Sequence, residues 1–273
     1  MTGAPATTLD RFLDGRLAIE QPAAGRHRAG LDAVLLAATV PADASGLLVD
    51  LGAGVGTAGL AAALAVPGLT VRLAERDPEA LRLSARNVAA NGLDGRVAPL
   101  AVDLLGPAEA REAILPRECA SHVICNPPFY AAAAVRASPR ADRAAAHVLG
   151  AGGLDDWVRV AAATLAPHGA LALIFRGDGL AEVLAALTGR FGAVSVLPVH
   201  PRAEDPAHRL IVGAIKGSRA RPRVLPGLVL HPPGSNAYLG PAEAVLRGAR
   251  LSLARADLTT VSSRRGDAAQ RRQ

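Results

Sequence analysis

The chain has 273 residues, which is enough for one sizeable core, and we expect a single domain. Its longest uncharged stretch is interrupted by Pro167 and Gly169, so the sequence predicts no membrane span. Residues 1–14 lack the features of a secretory signal, and two cysteines are too few for a disulfide framework, so we expect a cytoplasmic protein. The net charge of +6 favours a polyanionic partner such as RNA.

The predicted elements follow a flexible N-terminus at 1–15. Residues 16–21 alternate like a short strand, and 31–40 predict a helix that ends before Pro41. From residue 47, short apolar runs alternate with Ala-rich segments, which is typical of βαβ units and a parallel sheet. The predicted strands of this sheet cover 47–51, 70–75, 96–102, 121–125, 169–175, 193–199 and 208–215.

One helix of this series has a recognisable start. Asp77 is expected to cap it, and Pro78 suits its first position. Apolar residues at helical spacing, Leu81, Ala85 and Val88, are expected to form its buried face.

The C-terminal part predicts the topology of the sheet. The loop 200–208 is too short for a crossover helix, so the last two strands are expected to form an antiparallel hairpin. Such a terminal strand in a mostly parallel, seven-stranded, Rossmann-like α/β sheet, with helices on both faces, is typical of the class I methyltransferase fold. Residues 224–230 predict a further strand and 241–248 a helix. The expected organisation is one domain at 16–250, with an N-terminal segment at 16–46, a C-terminal extension at 217–250 and a disordered basic tail at 251–273.

A glycine-rich turn follows the first strand of the sheet. Residues 50–56 read Asp-Leu-Gly-Ala-Gly-Val-Gly, and glycines there would let a ligand approach main-chain N–H groups. The dinucleotide-binding fingerprint is not matched, because it requires glycine where Thr57 stands. The Asp50 carboxylate suits a cofactor with an ammonium group, such as S-adenosylmethionine, although a turn that serves only packing remains an alternative.

Two further acids lie at the ends of the next predicted strands: Glu75 is the last residue of 70–75, and Asp103 directly follows 96–102. Glu75 can accept hydrogen bonds from two ribose hydroxyls, and Asp103 can accept one from the adenine amine. Each acid alone is also typical of a solvated loop, but parallel strands place their carboxyl ends at one edge. The predicted cofactor-binding residues are Asp50, Leu51, Gly52, Ala53, Gly54, Gly56, Glu75, Arg76, Asp103 and Leu104.

The tetrad Asn126-Pro127-Pro128-Phe129 follows the fourth strand and predicts the chemistry. The Asn126 amide oxygen and the Pro127 carbonyl can accept both hydrogens of a planar amine, which directs the nitrogen lone pair toward a methyl donor. Phe129 offers a ring on which an unpaired base can stack. These four residues are the predicted catalytic group, with a simple Asn-Pro turn as the alternative.

Arginines near the tetrad are candidates for RNA binding. Arg136 and Arg140 lie in the loop after it, and Arg26 and Arg28 would join them if the N-terminal segment folds over the pocket. A solvated basic loop is the alternative. No metal site is expected. His122 and His200 are interpreted as structural or surface residues, Cys119 and Cys125 as buried thiols, and Trp157 as part of the core face of a helix.

Together these motifs resemble the bacterial valine-tRNA adenine-N6 methyltransferases over residues 16–250. Besides the glycine motif and the tetrad, the likeness includes Gln21-Pro22, Gly30 to Leu36, Asn87 to Leu93, Leu154 to Trp157 and Arg209 to Val212. The resemblance implies that Asp50, Gly52, Gly54, Glu75 and Asp103 bind S-adenosylmethionine and that residues 126–129 position an adenine amine. This chain departs from the family at 26–29, which commonly holds an aromatic residue, and at Phe129, where Tyr is frequent.

The resulting hypothesis is methyl transfer from S-adenosylmethionine to the N6 amine of an adenosine in tRNA. A protein glutamine N5-methyltransferase is an alternative, since a glutamine amide is also a planar amine. The 49 residues before Asp50 leave little room for the helical recognition domain that such enzymes carry. A catalytically silent partner that binds RNA or another protein is the third possibility.

Overall fold

The computed structural model describes residues 6–23, 30–128 and 153–253. These ranges form an N-terminal hairpin and one large sheet that is covered by helices. The strands are β1 (Thr7–Phe12), β2 (Leu17–Pro22), β3 (Gly46–Leu51), β4 (Leu69–Glu75), β5 (Val97–Ala101), β6 (Ala120–Cys125), β7 (Leu165–Arg176), β8 (Phe191–His200), β9 (Arg209–Lys216), β10 (Arg223–Val224) and β11 (Leu228–Val229). The helices are α1 (Leu31–Ala38), α2 (Thr57–Ala65), α3 (Pro78–Ala90), α4 (Ala108–Ile114), α5 (Leu154–Thr164), α6 (Leu180–Leu187) and α7 (Gly240–Leu246).

The large sheet has the strand order β10-β8-β9-β7-β6-β3-β4-β5, and β11 also pairs with β8. Strands β3 to β7 pair in parallel, as the βαβ rhythm predicts. Strand β9 runs antiparallel between β7 and β8, which confirms the predicted hairpin. Strands β3 to β9 therefore form the predicted seven-stranded class I methyltransferase topology. The single further strand expected at 224–230 is instead two short strands, β10 and β11, which both pair with β8.

The N-terminal hairpin corrects one sequence prediction. Residues 7–12, expected to lie in a flexible N-terminus, form β1 and pair antiparallel with β2 along its whole length. Every β1 residue stays at least partly exposed, and Leu9 retains 60% of its accessible surface. The buried side of the hairpin comes from Leu17 and Ile19 of β2. Because β1 lacks apolar alternation, only its backbone pairing with β2 defines it as a strand.

Helix α3 begins as predicted but buries a different face. The Asp77 carboxylate accepts hydrogen bonds from two N–H groups of the first turn, and Pro78 is the first helical residue. Of the predicted stripe only Val88 is buried, whereas Ala85 is exposed. The buried residues of the helix are Leu83, Ser84, Asn87 and Val88. An apolar pattern could not show this face, because half of it is polar.

Two hydrophobic cores lie on opposite faces of the large sheet. Adjacent residues of β3 show this, because Leu48 belongs to the core that includes α1 and α2, and Val49 to the core that includes α5 and α6. With both faces covered, a ligand reaches the parallel strands at their ends. None of the helices in the described ranges is long and apolar enough to cross a membrane.

Candidate active site

Five parallel strands, β3 to β7, bring their carboxyl ends to one edge of the sheet. Leu51, the last residue of β3, pairs with Ala74 of β4 on one side and with Cys125 of β6 on the other. The residues that follow these three in the chain are Gly52, Glu75 and Asn126. Since neighbouring strands lie about 4.8 Å apart, the glycine turn, one predicted ribose ligand and the first tetrad residue leave the sheet side by side.

The glycine turn has the backbone conformation that its sequence predicts. The φ angles of Gly52, Gly54 and Gly56 are 70°, 56° and 91°, a region that other residues adopt only with strain. The N–H groups of Gly52 and Ala53 both donate to the Ala74 carbonyl, at 2.9 and 3.1 Å. These donors were expected to face a ligand, but the chain already uses them. A methyl group added at Gly54 would meet no atom within 4 Å, so the turn is open there.

Asp50 is buried beneath the turn, with 3% of its surface exposed. Its Oδ2 accepts a hydrogen bond of 2.8 Å from the N–H of Gly59, which ties helix α2 to strand β3. Burial raises the pKa of Asp50 to about 7, although the Gly59 bond acts in the opposite direction; the negative charge of Glu75 raises it further. The carboxylate thus contributes to local structure and, when ionised, lies where a cationic group would stabilise it.

Glu75 is held by three backbone donors. Its Oε2 accepts from the Gly54 N–H at 2.9 Å, and its Oε1 accepts from the N–H groups of Arg76 and Asp77 at 2.8 and 2.9 Å. A carboxylate has about four acceptor positions, so about one remains for a ligand. The expected pair of bonds to two ribose hydroxyls therefore requires that Gly54 give up its bond.

The other predicted cofactor residues differ in exposure. Arg76 and Asp103 are exposed at the same edge, and Asp103 Oδ1 accepts a hydrogen bond of 3.1 Å from the N–H of Leu105. Leu104, in contrast, is 5% exposed and belongs to the core next to α5. Its side chain supports the loop, so a cofactor contact at this position would involve its backbone.

The first three tetrad residues lie at the end of β6. Asn126 is partly exposed, Pro127 is buried and Pro128 is exposed. Within the described ranges, no hydrogen-bond partner is found for the Asn126 side chain. Its amide therefore remains available to a substrate. The predicted stacking residue and the predicted RNA contacts lie outside the described residues, namely Phe129, Arg26, Arg28, Arg136 and Arg140.

Asn87 of α3 is a site residue that the apolar pattern missed. It is 1% exposed, and its amide donates to the Val55 carbonyl of the glycine turn at 3.0 Å. The same side chain accepts from the Glu20 N–H at 2.7 Å and donates to the Glu20 carbonyl at 3.0 Å. One amide thus joins the turn to strand β2. The polar residue four positions later, Asn91, bonds β2 in the same way through Ala18, and this Asn-x-x-x-Asn spacing was the available sequence signal.

Trp157 of α5 was interpreted as a core residue, and the structure shows a second contact. The side chain is partly exposed and packs at the margin of one core. A methyl group added at Gly52 would lie 2.7 Å from its Cη2 and 2.9 Å from its Cζ3. The indole therefore touches the first glycine of the turn.

An ion pair connects two segments that the sequence resemblance singled out. Arg209 Nε, at the start of β9, lies 2.9 Å from Asp32 Oδ2 in the first turn of α1. Because β9 starts beside the carboxyl end of β7, this pair fixes the beginning of α1 near the edge that carries the site.

Burial shifts the pKa of two further side chains on β6. His122 is partly buried in β6, and burial lowers its pKa. Cys125 is buried, and burial together with the Asp50 charge raises the pKa of its thiol. Within the described ranges no group of three potential metal ligands is found.

Comparison with known proteins identifies the family. The sequence matches the methyltransferase small domain family over residues 27–198, a range that contains the glycine turn and the tetrad. The chain belongs to this family. A solved structure from Agrobacterium tumefaciens, described as a predicted O-methyltransferase, is similar with 35% identity and a TM-score of 0.68 over 80% of this chain and 97% of the other. A sequence search of curated proteins finds no significant match.

Two further structures resemble this methyltransferase small domain protein at lower identity. TYW2 from P. horikoshii, in complex with MeSAdo, has 13% identity and a TM-score of 0.52, with coverage of 79% of this chain and 74% of that one. A type I restriction-modification methyltransferase subunit from Streptococcus thermophilus has 16% identity and a TM-score of 0.52, with coverage of 73% and 47%. These two show the shared fold. By its family, the protein is an S-adenosylmethionine-dependent methyltransferase.

Proposed function

We propose that the protein methylates the N6 amine of an adenosine in tRNA. The observation that carries this proposal is the position of Asn126, which directly follows β6, while β6 pairs with the strand that ends in the glycine turn. Its amide lacks a described partner and can accept one hydrogen of a planar amine. An amine held there lies next to the strand end that is proposed to carry the cofactor.

The cofactor fits the residues at this edge. The open surface at Gly54 leaves room for a ligand, Glu75 keeps an acceptor position for a ribose hydroxyl, and Asp103 is exposed toward solvent as an acceptor for an adenine amine. The backbone N–H groups of the turn are largely used within the chain, which suits a cationic ligand better than a phosphate. When bound, the cofactor supplies a methyl group on a positively charged sulfur.

The tetrad has the groups that an amine acceptor needs. The Asn126 oxygen and the Pro127 carbonyl accept the two amine hydrogens, so the nitrogen lone pair leaves conjugation with the ring and becomes nucleophilic. Pro127 is buried, and its ring restricts the backbone at this position. No strong base is required, since the nitrogen loses its proton after it becomes cationic. Stacking of the base on Phe129 remains a prediction.

Two observations support RNA as the substrate: the positive net charge of the chain, and the position of the elements on either side of residues 24–29. The net charge is +6. Residues 24–29, which include Arg26 and Arg28, follow β2 and precede α1. Asn87 ties β2 to the glycine turn, and the Asp32 ion pair ties α1 to the same edge. Both flanks of the segment are therefore anchored around the proposed site.

The decisive experiment is methyl transfer from labelled S-adenosylmethionine to unmodified tRNA, followed by nucleoside mass spectrometry. The wild type should produce N6-methyladenosine. Asn126→Ala should lose turnover but still bind cofactor in calorimetry, and Asn126→Asp, which retains acceptor oxygens, should keep measurable turnover. Full activity of Asn126→Ala would contradict the proposed role of this amide.

The same assay separates the alternative substrates. Label in 2′-O-methyladenosine would indicate oxygen methylation, the chemistry named for the similar Agrobacterium tumefaciens protein. Label only in a protein lysate would support a glutamine substrate. Substrate affinity that does not fall with rising salt concentration would support it as well, because RNA binding weakens steeply as salt is added. Absence of label from both RNA and protein would contradict both amine substrates.

A further inference from the structure

The contact between Trp157 and Gly52 lies where the glycine turn leaves the sheet. Gly52 directly follows the last residue of β3, and its φ of 70° starts the turn. A Cβ at Gly52 would lie 2.7 Å from Trp157 Cη2, so the indole occupies the space where other residues carry a side chain. The six-membered ring of the indole is thus in van der Waals contact with the backbone of the turn.

This contact acts together with the hydrogen bonds from the turn to β4. The Ala74 carbonyl receives the N–H groups of both Gly52 and Ala53. Hydrogen bonds fix the direction of these two peptide groups, and the indole fills the remaining space beside Gly52. The first residues of the turn therefore have a defined position before any ligand is bound.

The position of the indole is itself fixed by helix α5. Leu154 and Val158, on either side of Trp157, are 5% and 2% exposed. The carboxylate of Asp155 receives two hydrogen bonds from Arg190, at 2.6 and 3.3 Å. Trp157 itself is partly exposed, so burial of a large side chain does not by itself account for its place.

We infer that Trp157 is a positioning residue for S-adenosylmethionine, because it holds Gly52 in the place that the cofactor requires. The inference rests on the proposed placement of the cofactor on the glycine turn. Loss of the indole leaves a gap beside a turn whose glycines are intrinsically flexible, so the binding geometry becomes less defined. A residue with only a core role would change stability and leave cofactor affinity as it is.

The test is calorimetric binding of S-adenosylmethionine to folded variants in the absence of RNA. Trp157→Ala should bind at least about tenfold more weakly than wild type, and Trp157→Phe, which keeps a ring, should stay within about threefold. The matched control is Val158→Ala on the same helix, which removes buried apolar surface without touching Gly52 and should keep wild-type affinity. Equal affinity of wild type and Trp157→Ala would overturn the inference, as would an equal loss in Val158→Ala.

A double-mutant cycle tests the contact itself. Gly52→Ala should weaken cofactor binding strongly in the wild-type background, because the new methyl group meets the indole. In Trp157→Ala this overlap is removed and only the backbone strain at Gly52 remains, so the same substitution should have a smaller effect. Additive effects would contradict a direct contact. Since no RNA is involved, failure of the tRNA proposal would leave these outcomes unchanged.

Discussion

We expect the Asp50 carboxyl to make the protein less stable as the pH rises from acidic to neutral. The side chain is 3% exposed, and burial raises its pKa from 3.8 to about 7. The folded protein therefore holds this proton more tightly than the unfolded chain does. Its favourable contribution to folding is complete below about pH 4 and is lost as the pH rises through about 7.

The magnitude follows from the difference between the two pKa values. Raising a carboxyl pKa from 3.8 to about 7 corresponds to roughly 4 kcal/mol in the free energy of unfolding. Asp50→Asn removes this titration and keeps an amide oxygen that can accept the hydrogen bond from Gly59. The variant should therefore gain stability relative to wild type as the pH rises, by up to that amount above neutral pH.

Chemical denaturation of both proteins over a series of pH values measures this difference, and it cancels the groups that titrate in both. Asn87→Ala is the control, since it weakens the fold near the same turn without removing a titratable group. Its difference from wild type should stay constant across the pH series. A constant difference between Asp50→Asn and wild type across the whole range would refute the reasoning.

Four further substitutions test hydrogen bonds, an ion pair, packing and a helix cap around the site by the same denaturation measurement. Asn87→Ala leaves the Val55 carbonyl and the Glu20 N–H without their partner and should lower the free energy of unfolding by about 3 kcal/mol. Arg86→Ala, which removes a half-exposed ion pair to Glu20, should lower it by less than about 1 kcal/mol. Gly59→Ala should cost roughly 2 kcal/mol despite the helix preference of alanine, because the added methyl group overlaps the Leu73 side chain; a stabilised variant would contradict that packing. Asp77→Ala removes the cap of α3 and should cost about 1 kcal/mol, and an unchanged midpoint would argue against the cap.

The strands of the large sheet could be predicted from sequence because their signals are local. Apolar runs of strand length separated by helical segments located β3 to β9 to within a few residues. The short loop between β8 and β9 was sufficient to predict their antiparallel pairing. Strand β1 lacks a local signal of this kind, since its formation depends on pairing with β2.

The site could be predicted in part for a related reason. Glu75 ends a strand that the sequence identifies, the glycine turn and Asn126 directly follow two others, and parallel strands place such residues at one edge. The number of hydrogen bonds that Glu75 can still accept from a ligand was not predictable, because the N–H groups of Gly54, Arg76 and Asp77 already occupy three of its acceptor positions.

The sequence by itself determined where strands β3 to β9 lie along the chain and which residues stand at their ends, since periodicity, turn residues and motif spacing act over short stretches of chain. Only the tertiary structure decided which polar groups face inward. Asn87 connects Val55 with Glu20, residues separated from it by 32 and 67 positions, and Trp157 reaches Gly52 from a different helix. Such contacts depend on how distant segments pack, so a pattern within any one segment cannot determine them.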